Sequence, residues 1–188
     1  LLCSAYKFYG PHVGILYSKP DLLNTLKTDN LIVQEQDGPY KIETGTLNHA
    51  ACAGVSKSID FISSIGKGNT LREKLDDAFQ KIGAHEYHLA SYLYNGLKKI
   101  KNLEVIGPDF SSKKRTPTVS FIHKNKTANE ICKELAKKNI CAWDGHFYAI
   151  QAIKKLNLEK RGGVTRLGIS LYNTKEEVEK LLKVISSI

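Results

Sequence analysis

Hydrophobic and polar positions recur along this chain with a period that changes from segment to segment. Two short apolar runs, Leu1 to Ala5 and Val13 to Tyr17, flank a lysine and a Gly10-Pro11 turn signal. That pattern predicts two core strands joined by a tight connection. A polar break at Ser18-Lys19-Pro20-Asp21 leads into a short helical segment, Leu22 to Thr25. An irregular stretch from Asp29 to Lys41 follows, with a turn at Asp37-Gly38-Pro39. From His49 to Ile62 the chain is alanine-rich, with Ala50, Ala53, Gly54, Ile59 and Ile62 at helical spacing. Beyond the break at Gly66-Lys67-Gly68-Asn69, a long amphipathic helix is predicted from Leu71 to Ile100, through Leu75, Phe79, Ile82, Leu89, Leu93 and Leu97. Gly83 is the point where it is expected to bend or break.

The last third changes character. Leu103 to Ile106 and Thr116 to Ile122 have the composition of strands, the second with Val119 and Phe121 on one face. Thr127 to Lys138 is an amphipathic helix whose Thr127 and Glu130 have capping-box spacing. A strand is predicted over Asn139 to Trp143, a helix over Tyr148 to Leu156, and a strand over Val164 to Leu171 after the Gly162-Gly163 turn. Thr174 and Glu177 repeat the capping spacing ahead of a closing helix that buries Val178, Leu181, Leu182 and Ile185. Strands interleaved with helices predict a compact α+β domain here.

Composition adds little to this picture. The chain has 188 residues, room for one large domain or two small ones, and its 41% hydrophobic and 25% charged residues are ordinary for a globular protein. No apolar run approaches the roughly 20 residues that span a bilayer, and no secretory signal pattern is present. Cys3, Cys52, Cys132 and Cys141 lack CxxC spacing and paired histidines. Neither a metal site nor a disulfide framework is expected, and a reducing cytoplasm is. The net charge of +9 raises the question of nucleic acid. Its lysines spread over helical faces, however, and the one tight cluster, Lys113-Lys114-Arg115, has no binding motif beside it. A solvated basic surface is expected, with no nucleic-acid partner.

Three stretches carry candidate chemistry. Lys7 sits at the tip of a turn between core strands. It is either a surface lysine or a desolvated, nucleophilic amine suited to carbonyl chemistry. Glu43 to Asn48 places two threonines around Gly45 just before a helix. Such a loop either caps that helix or donates to an anion. Arg166 lies in a strand among apolar neighbours. A guanidinium there needs a partner, and an internal salt bridge to a glutamate would supply one.

The segment Ser4-Ala5-Tyr6-Lys7-Phe8-Tyr9-Gly10-Pro11-His12-Val13-Gly14 resembles the Ser-x-His-Lys-x-x-Gly-Pro-x-Gly block of class V aminotransferases, the cysteine desulfurase relatives. Glu43 to Asn48 resembles that family's Glu-x-Gly-Thr-x-Asn, and Arg166 to Thr174 resembles its Arg-x-Ser-x-x-x-Tyr-Asn-Thr. The three blocks occur in family order. The resemblance implies an α/β fold, the C-terminal part of a PLP-dependent transferase of fold type I. A remnant of the large mixed-sheet domain would occupy residues 1–70, a connecting helix 71–101, and a small α+β domain 102–188. It implies that Lys7 forms the Schiff base with pyridoxal 5'-phosphate, with Ser4 and Tyr6 as cofactor contacts. It implies that Thr46 reaches the cofactor phosphate of the other subunit in a homodimer. Arg166 and His146 become contacts of an amino-acid substrate. The family's aspartate for the pyridine nitrogen, its ring-stacking histidine and its phosphate loop precede the lysine, so they are expected in a longer enzyme upstream of Leu1.

One departure matters for the reaction. Where active cysteine desulfurases carry Arg-x-Gly-His-His-Cys, this chain has Trp143-Asp144-Gly145-His146-Phe147-Tyr148. Tyr148 thus stands in place of the sulfur-accepting cysteine. Tyr6 likewise stands where a histidine usually precedes the lysine. Cys141, seven residues before Tyr148, is expected inside a strand as a core cysteine. The function implied is that of a PLP-dependent enzyme acting on an amino acid through Lys7. An epimerase or aminotransferase outcome, or a non-catalytic scaffold with a basic surface, remains the alternative.

Overall fold

The computed structural model describes residues 1–111 and 115–188, so Lys113 and Lys114 of the basic cluster lie outside the described residues. Two units emerge, Leu1–Phe79 and Gln80–Ile188.

In the first unit, the apolar runs at the start form β1 (Leu2–Ser4) and β2 (Gly14–Leu16), antiparallel with Cys3 opposite Ile15. Both are shorter than their apolar runs because a 3-10 turn, Ala5–Phe8, takes over at Ala5 and ends at Tyr9 in the left-handed region. Ala5 is fully buried, donates to the Val13 carbonyl at 2.8 Å and accepts from the Gly10 amide at 2.9 Å. A Cβ at position 10 would lie 2.9 Å from the Ala5 carbonyl oxygen, which is why the closure takes a glycine. The ribbon has only two strands and leaves Leu2 and Leu16 exposed, as such a ribbon must without cover on its faces. α1 (Pro20–Thr25) opens on a proline, whose fixed φ suits a first turn. Lys41 is buried in the irregular stretch, where its ammonium donates to the Asn24 and Leu26 carbonyls. α2 (His49–Ile65) lays Gly54 against the Pro11 ring.

α3 (Leu71–Leu97) is continuous, and Gly83 does not break it. One helical glycine costs only about 1 kcal/mol, less than the packing of the turns beyond it supplies. Within the first unit, Leu71 and Phe79 of its apolar stripe are exposed. In the second unit, Leu89, Leu93 and Leu97 are buried.

The second unit is built on one antiparallel sheet in the order β3-β4-β6-β5: β3 (Leu103–Ile106), β4 (Thr118–His123), β6 (Val164–Gly168) and β5 (Trp143–Gly145). Alternation on β4 sends Val119 and Phe121 to one face, where Leu167 of β6 joins them. Against that face pack Leu89, Leu93 and Leu97 of α3, Ile131 and Leu135 of α4 (Ala128–Ala136), and Val178, Leu181 and Ile185 of α6 (Lys175–Ser186). Each such side chain contributes about 1.5–3 kcal/mol of burial. Both capping boxes form. The Thr127 amide donates to Glu130 Oε2 at 2.7 Å, and the Thr174 amide to Glu177 Oε2 at 3.0 Å.

Three predicted boundaries move, each for a local reason. The strand expected to reach Leu171 stops at Gly168, because Asn173 Oδ1 captures the Ser170 amide at 2.8 Å and turns the chain toward α6. The helix expected from Tyr148 begins instead at Ile150 as α5 (Ile150–Lys155), since Phe147 and Tyr148 both have positive φ. The strand expected over 139–143 forms later, as β5, after Asn139 takes a left-handed conformation at the end of α4. The second face of the sheet carries a smaller cluster, Ile153, Leu158 and Val164, with Ile106, Ile122 and Phe147 packed on it.

Candidate functional site

Lys7 projects from the 3-10 turn between β1 and β2, and the backbone bonds around Ala5 fix that turn. Its ammonium lies 5.4 Å from the centroid of the Tyr6 ring, which stacks on His12 at 5.2 Å and 13°. Of the two readings of Lys7, a surface lysine or a desolvated one between core strands, this chain shows the first, for Lys7 is exposed. Three-residue strands in a two-stranded ribbon do not bury the turn that joins them. Ser4, the last residue of β1, is half-buried and makes no cap bond to the turn. The same turn thus gathers Ser4, Tyr6 and Lys7, and adds His12, which sequence reasoning did not single out.

The loop ahead of α2 settles which residue caps that helix. Asn48 caps the helix, its Oδ1 accepting from the Ala51 amide at 3.0 Å. Thr46 is exposed and not part of that cap. An asparagine directly before the alanine-rich run was the available signal for this cap.

Arg166 lies on β6, opposite Ser120 on β4 and opposite Trp143 on β5. It is exposed, not buried among apolar neighbours, because alternation sends Thr165 and Leu167 inward and Arg166 outward. Within the described residues its contact is aromatic. The guanidinium carbon sits 3.9 Å from the centroid of the Phe147 ring. Arg166 and the segment from Trp143 to Tyr148 enclose a cleft of about 480 Å³. His146 joins Arg166 there, its Nδ1 accepting from the Tyr148 amide at 3.1 Å, which leaves the ring proton on Nε2. Tyr148 is 97% exposed at the mouth.

Two glycines hold the cleft's floor. Gly145 has φ of 126°, and Gly163 has φ of 85°. A Cβ on Gly163 would lie 2.2 Å from the Gly145 carbonyl oxygen, so β5 reaches β6 only over a glycine. Asp144 is held toward α4, where its Oδ2 accepts from Asn129 Nδ2 at 3.3 Å. It also faces Cys132, whose thiol is pushed up to about 11, mainly by burial and then by the Asp144 charge and hydrogen bond. Cys132 was marked by no sequence motif, and Phe147 only as a position within the Trp143 to Tyr148 block. Cys141 proves to be an exposed thiol ahead of β5, not a core cysteine within a strand.

Among the described residues, no group of His, Cys, Asp and Glu is placed to hold a metal ion. The chemistry on offer is a primary amine on a fixed turn, exposed hydroxyls, and an arginine presented over an aromatic ring. The fold around them is the α/β fold of the fold-type I PLP-dependent transferases. A cysteine desulfurase from Thermococcus onnurineus superposes with a TM-score of 0.78 at 23% identity, over 99% of this chain and 46% of that one. A cysteine desulfurase from Escherichia coli gives 0.77 at 21% identity, over 99% and 45%. The class-V aminotransferase family model matches residues 1–181, and the chain belongs to that family. A probable cysteine desulfurase of Methanothermobacter thermautotrophicus is 30% identical over 154 residues, 81% of this chain and 35% of that protein. The chain thus spans less than half the length of these relatives. A further structural neighbour, a C-DES variant that superposes with a TM-score of 0.66 at 17% identity over 96% of this chain and 43% of that one, carries glycine covalently linked to its PLP cofactor.

Proposed function

We propose that this chain supplies the cofactor-linking lysine and the substrate-binding arginine of a PLP-dependent class V enzyme that acts on an amino acid. The observation that carries the reading is Arg166, exposed over the Phe147 ring with its hydrogen-bonding edge available to a carboxylate. The donor set at the first turn fits the cofactor. Lys7 would link its aldehyde carbon, Ser4 would donate to its phosphate, and Tyr6 would lie beside it. Thr46, outside the helix cap, would donate to the phosphate held by the neighbouring subunit of a homodimer. Bound there, the cofactor supplies an electron sink for the substrate α-carbon. Arg166 grips the α-carboxylate in two parallel hydrogen bonds and sets the orientation of that carbon. Lys7 Nζ, when free, is the group that takes up or returns a proton.

The exposed apolar faces of β1 and β2 are surfaces that the rest of the enzyme or the second subunit would cover. Four free thiols suit a reducing cytoplasm, and no helix among the described residues is long and apolar enough to cross a membrane. A second reading concerns the outcome. Tyr148 occupies the position of the sulfur acceptor, and a phenol cannot become a persulfide. An epimerase or aminotransferase outcome therefore competes with desulfuration.

Incubating the full-length protein with PLP and reducing with borohydride tests the assignment independently of turnover. Peptide mapping is expected to find the label on Lys7, and Lys7→Ala to abolish it while leaving the circular dichroism unchanged. Stoichiometric label on another lysine overturns the reading.

A further inference from the structure

The cleft beside Arg166 holds more than a charge. Ile106 pairs with Ser120, Ser120 with Arg166, and Arg166 with Trp143, so one row of side chains crosses all four strands on the same face. Phe147 lies under the guanidinium from the loop side. It adopts φ of 51°, Tyr148 follows at 62°, and non-glycine residues keep such conformations where their surroundings over-determine them. Here the fixing contact is the Ile153, Leu158 and Val164 cluster, on which Phe147 packs. Arg166 is thereby backed by a ring that is itself anchored, which leaves the edge of its guanidinium for a carboxylate.

The rest of the cleft is aromatic and open. Trp143 is 71% exposed directly across the strand from Arg166, and Tyr148 stands at the mouth. Asp144, the one carboxylate of the lining, is occupied by Asn129 and the Cys132 thiol. The Asp144 carboxylate is thereby engaged on α4, and no other Asp or Glu belongs to the described lining.

We propose that this cleft selects carboxylates bearing an apolar, flat side chain, and that Trp143 is the wall against which that side chain packs. The proposal rests on the reading of Arg166 as the carboxylate contact and adds the substrate class. Small or polar amino acids, cysteine among them, bury too little surface on Trp143 to gain from it.

The test uses acids without an amino group, which cannot react with a cofactor on Lys7. 3-Phenylpropionate, propionate and 3-phenylpropanol are titrated against the full-length protein by ligand-observed NMR. 3-Phenylpropionate is expected to bind about tenfold more tightly than propionate, the size of one added aromatic contact. The alcohol is expected not to compete. Trp143→Ala should bring the two acids within about twofold while leaving propionate unchanged, and Trp143→Phe should keep most of the preference. Arg166→Gln should abolish binding of both acids. Equal binding of the two acids, lost in Arg166→Gln, overturns the aromatic wall and leaves the carboxylate reading standing. A preference that survives Trp143→Ala overturns the assignment of Trp143. Binding indifferent to Arg166→Gln, or no binding of either acid, overturns the underlying reading as well.

Discussion

Replacing Gly163 by alanine asks whether the cleft depends on the close approach of β5 to the start of β6. The new Cβ would lie 2.2 Å from the Gly145 carbonyl oxygen and 2.4 Å from its carbonyl carbon. Both are backbone atoms, so no side chain can swing aside. Alanine at φ of 85° also enters the left-handed region, which costs about 1–2 kcal/mol. Displacing backbone to relieve the overlap adds about 1–3 kcal/mol. The stiffer unfolded chain returns about 0.4–1 kcal/mol. The net loss is about 3 kcal/mol, or a fall in Tm of roughly 12 °C for a unit of this size.

Gly162→Ala is the matched control. Its φ is 73°, yet nothing lies within 4 Å of the added Cβ, so only the conformational cost of about 1 kcal/mol applies. Urea unfolding followed by far-UV circular dichroism gives both values under one two-state treatment. The carboxylate titration, run well below the transition, then shows whether the strain reaches the cleft. Gly145 pairs with Val164 two positions from the Trp143–Arg166 pair, so pushing β5 outward should separate Trp143 from Arg166. Equal stability of the two variants would refute the close approach. A large loss of stability with 3-phenylpropionate binding unchanged would refute its bearing on the site.

Two further outcomes follow from the geometry. Because the Cys132 thiol rises from an ordinary 9.0 to about 11, its thiolate fraction at about pH 8 falls roughly a hundredfold. Iodoacetamide should therefore modify exposed Cys141 in the native protein and spare Cys132, while Asp144→Asn speeds Cys132 labelling; parity between the two thiols would contradict this. Mixing full-length Lys7→Ala and Thr46→Ala proteins should restore part of the activity, since hybrid dimers would hold one site with both residues; hybrids that form but stay inactive argue against a contribution of Thr46 in trans.

How much of this was legible in the chain depended on how far each signal had to reach. The helices α4 and α6 announced themselves through apolar periodicity and through threonine–glutamate pairs three residues apart, and both capping boxes formed. Those signals are satisfied within a single turn of backbone, so neighbours cannot override them. Strand ends were less legible. Whether Val164 onward stops at Gly168 or continues is decided by the Asn173 side chain reaching back to Ser170. Periodicity carries no such information.

The site divides along the same line. The motifs named Lys7, Thr46 and Arg166 as candidates by residue type and order, but nothing local stated their surroundings. Both were read among apolar neighbours, yet Lys7 lies on a 3-10 turn that a two-stranded ribbon leaves exposed, and on β6 alternation turns Thr165 and Leu167 inward and Arg166 outward. Phe147 under Arg166 and Trp143 beside it depend on which residue of β5 faces which residue of β6. A slip of one residue would have sent Trp143 to the opposite face. Gly145 and Gly163 set that register by meeting where no side chain fits, and the sequence presents them only as ordinary turn glycines. If Trp143 is the wall proposed above, a change that alters the meeting of these two glycines would bear on ligand preference as directly as a change to Trp143, although neither glycine has a side chain to touch a ligand.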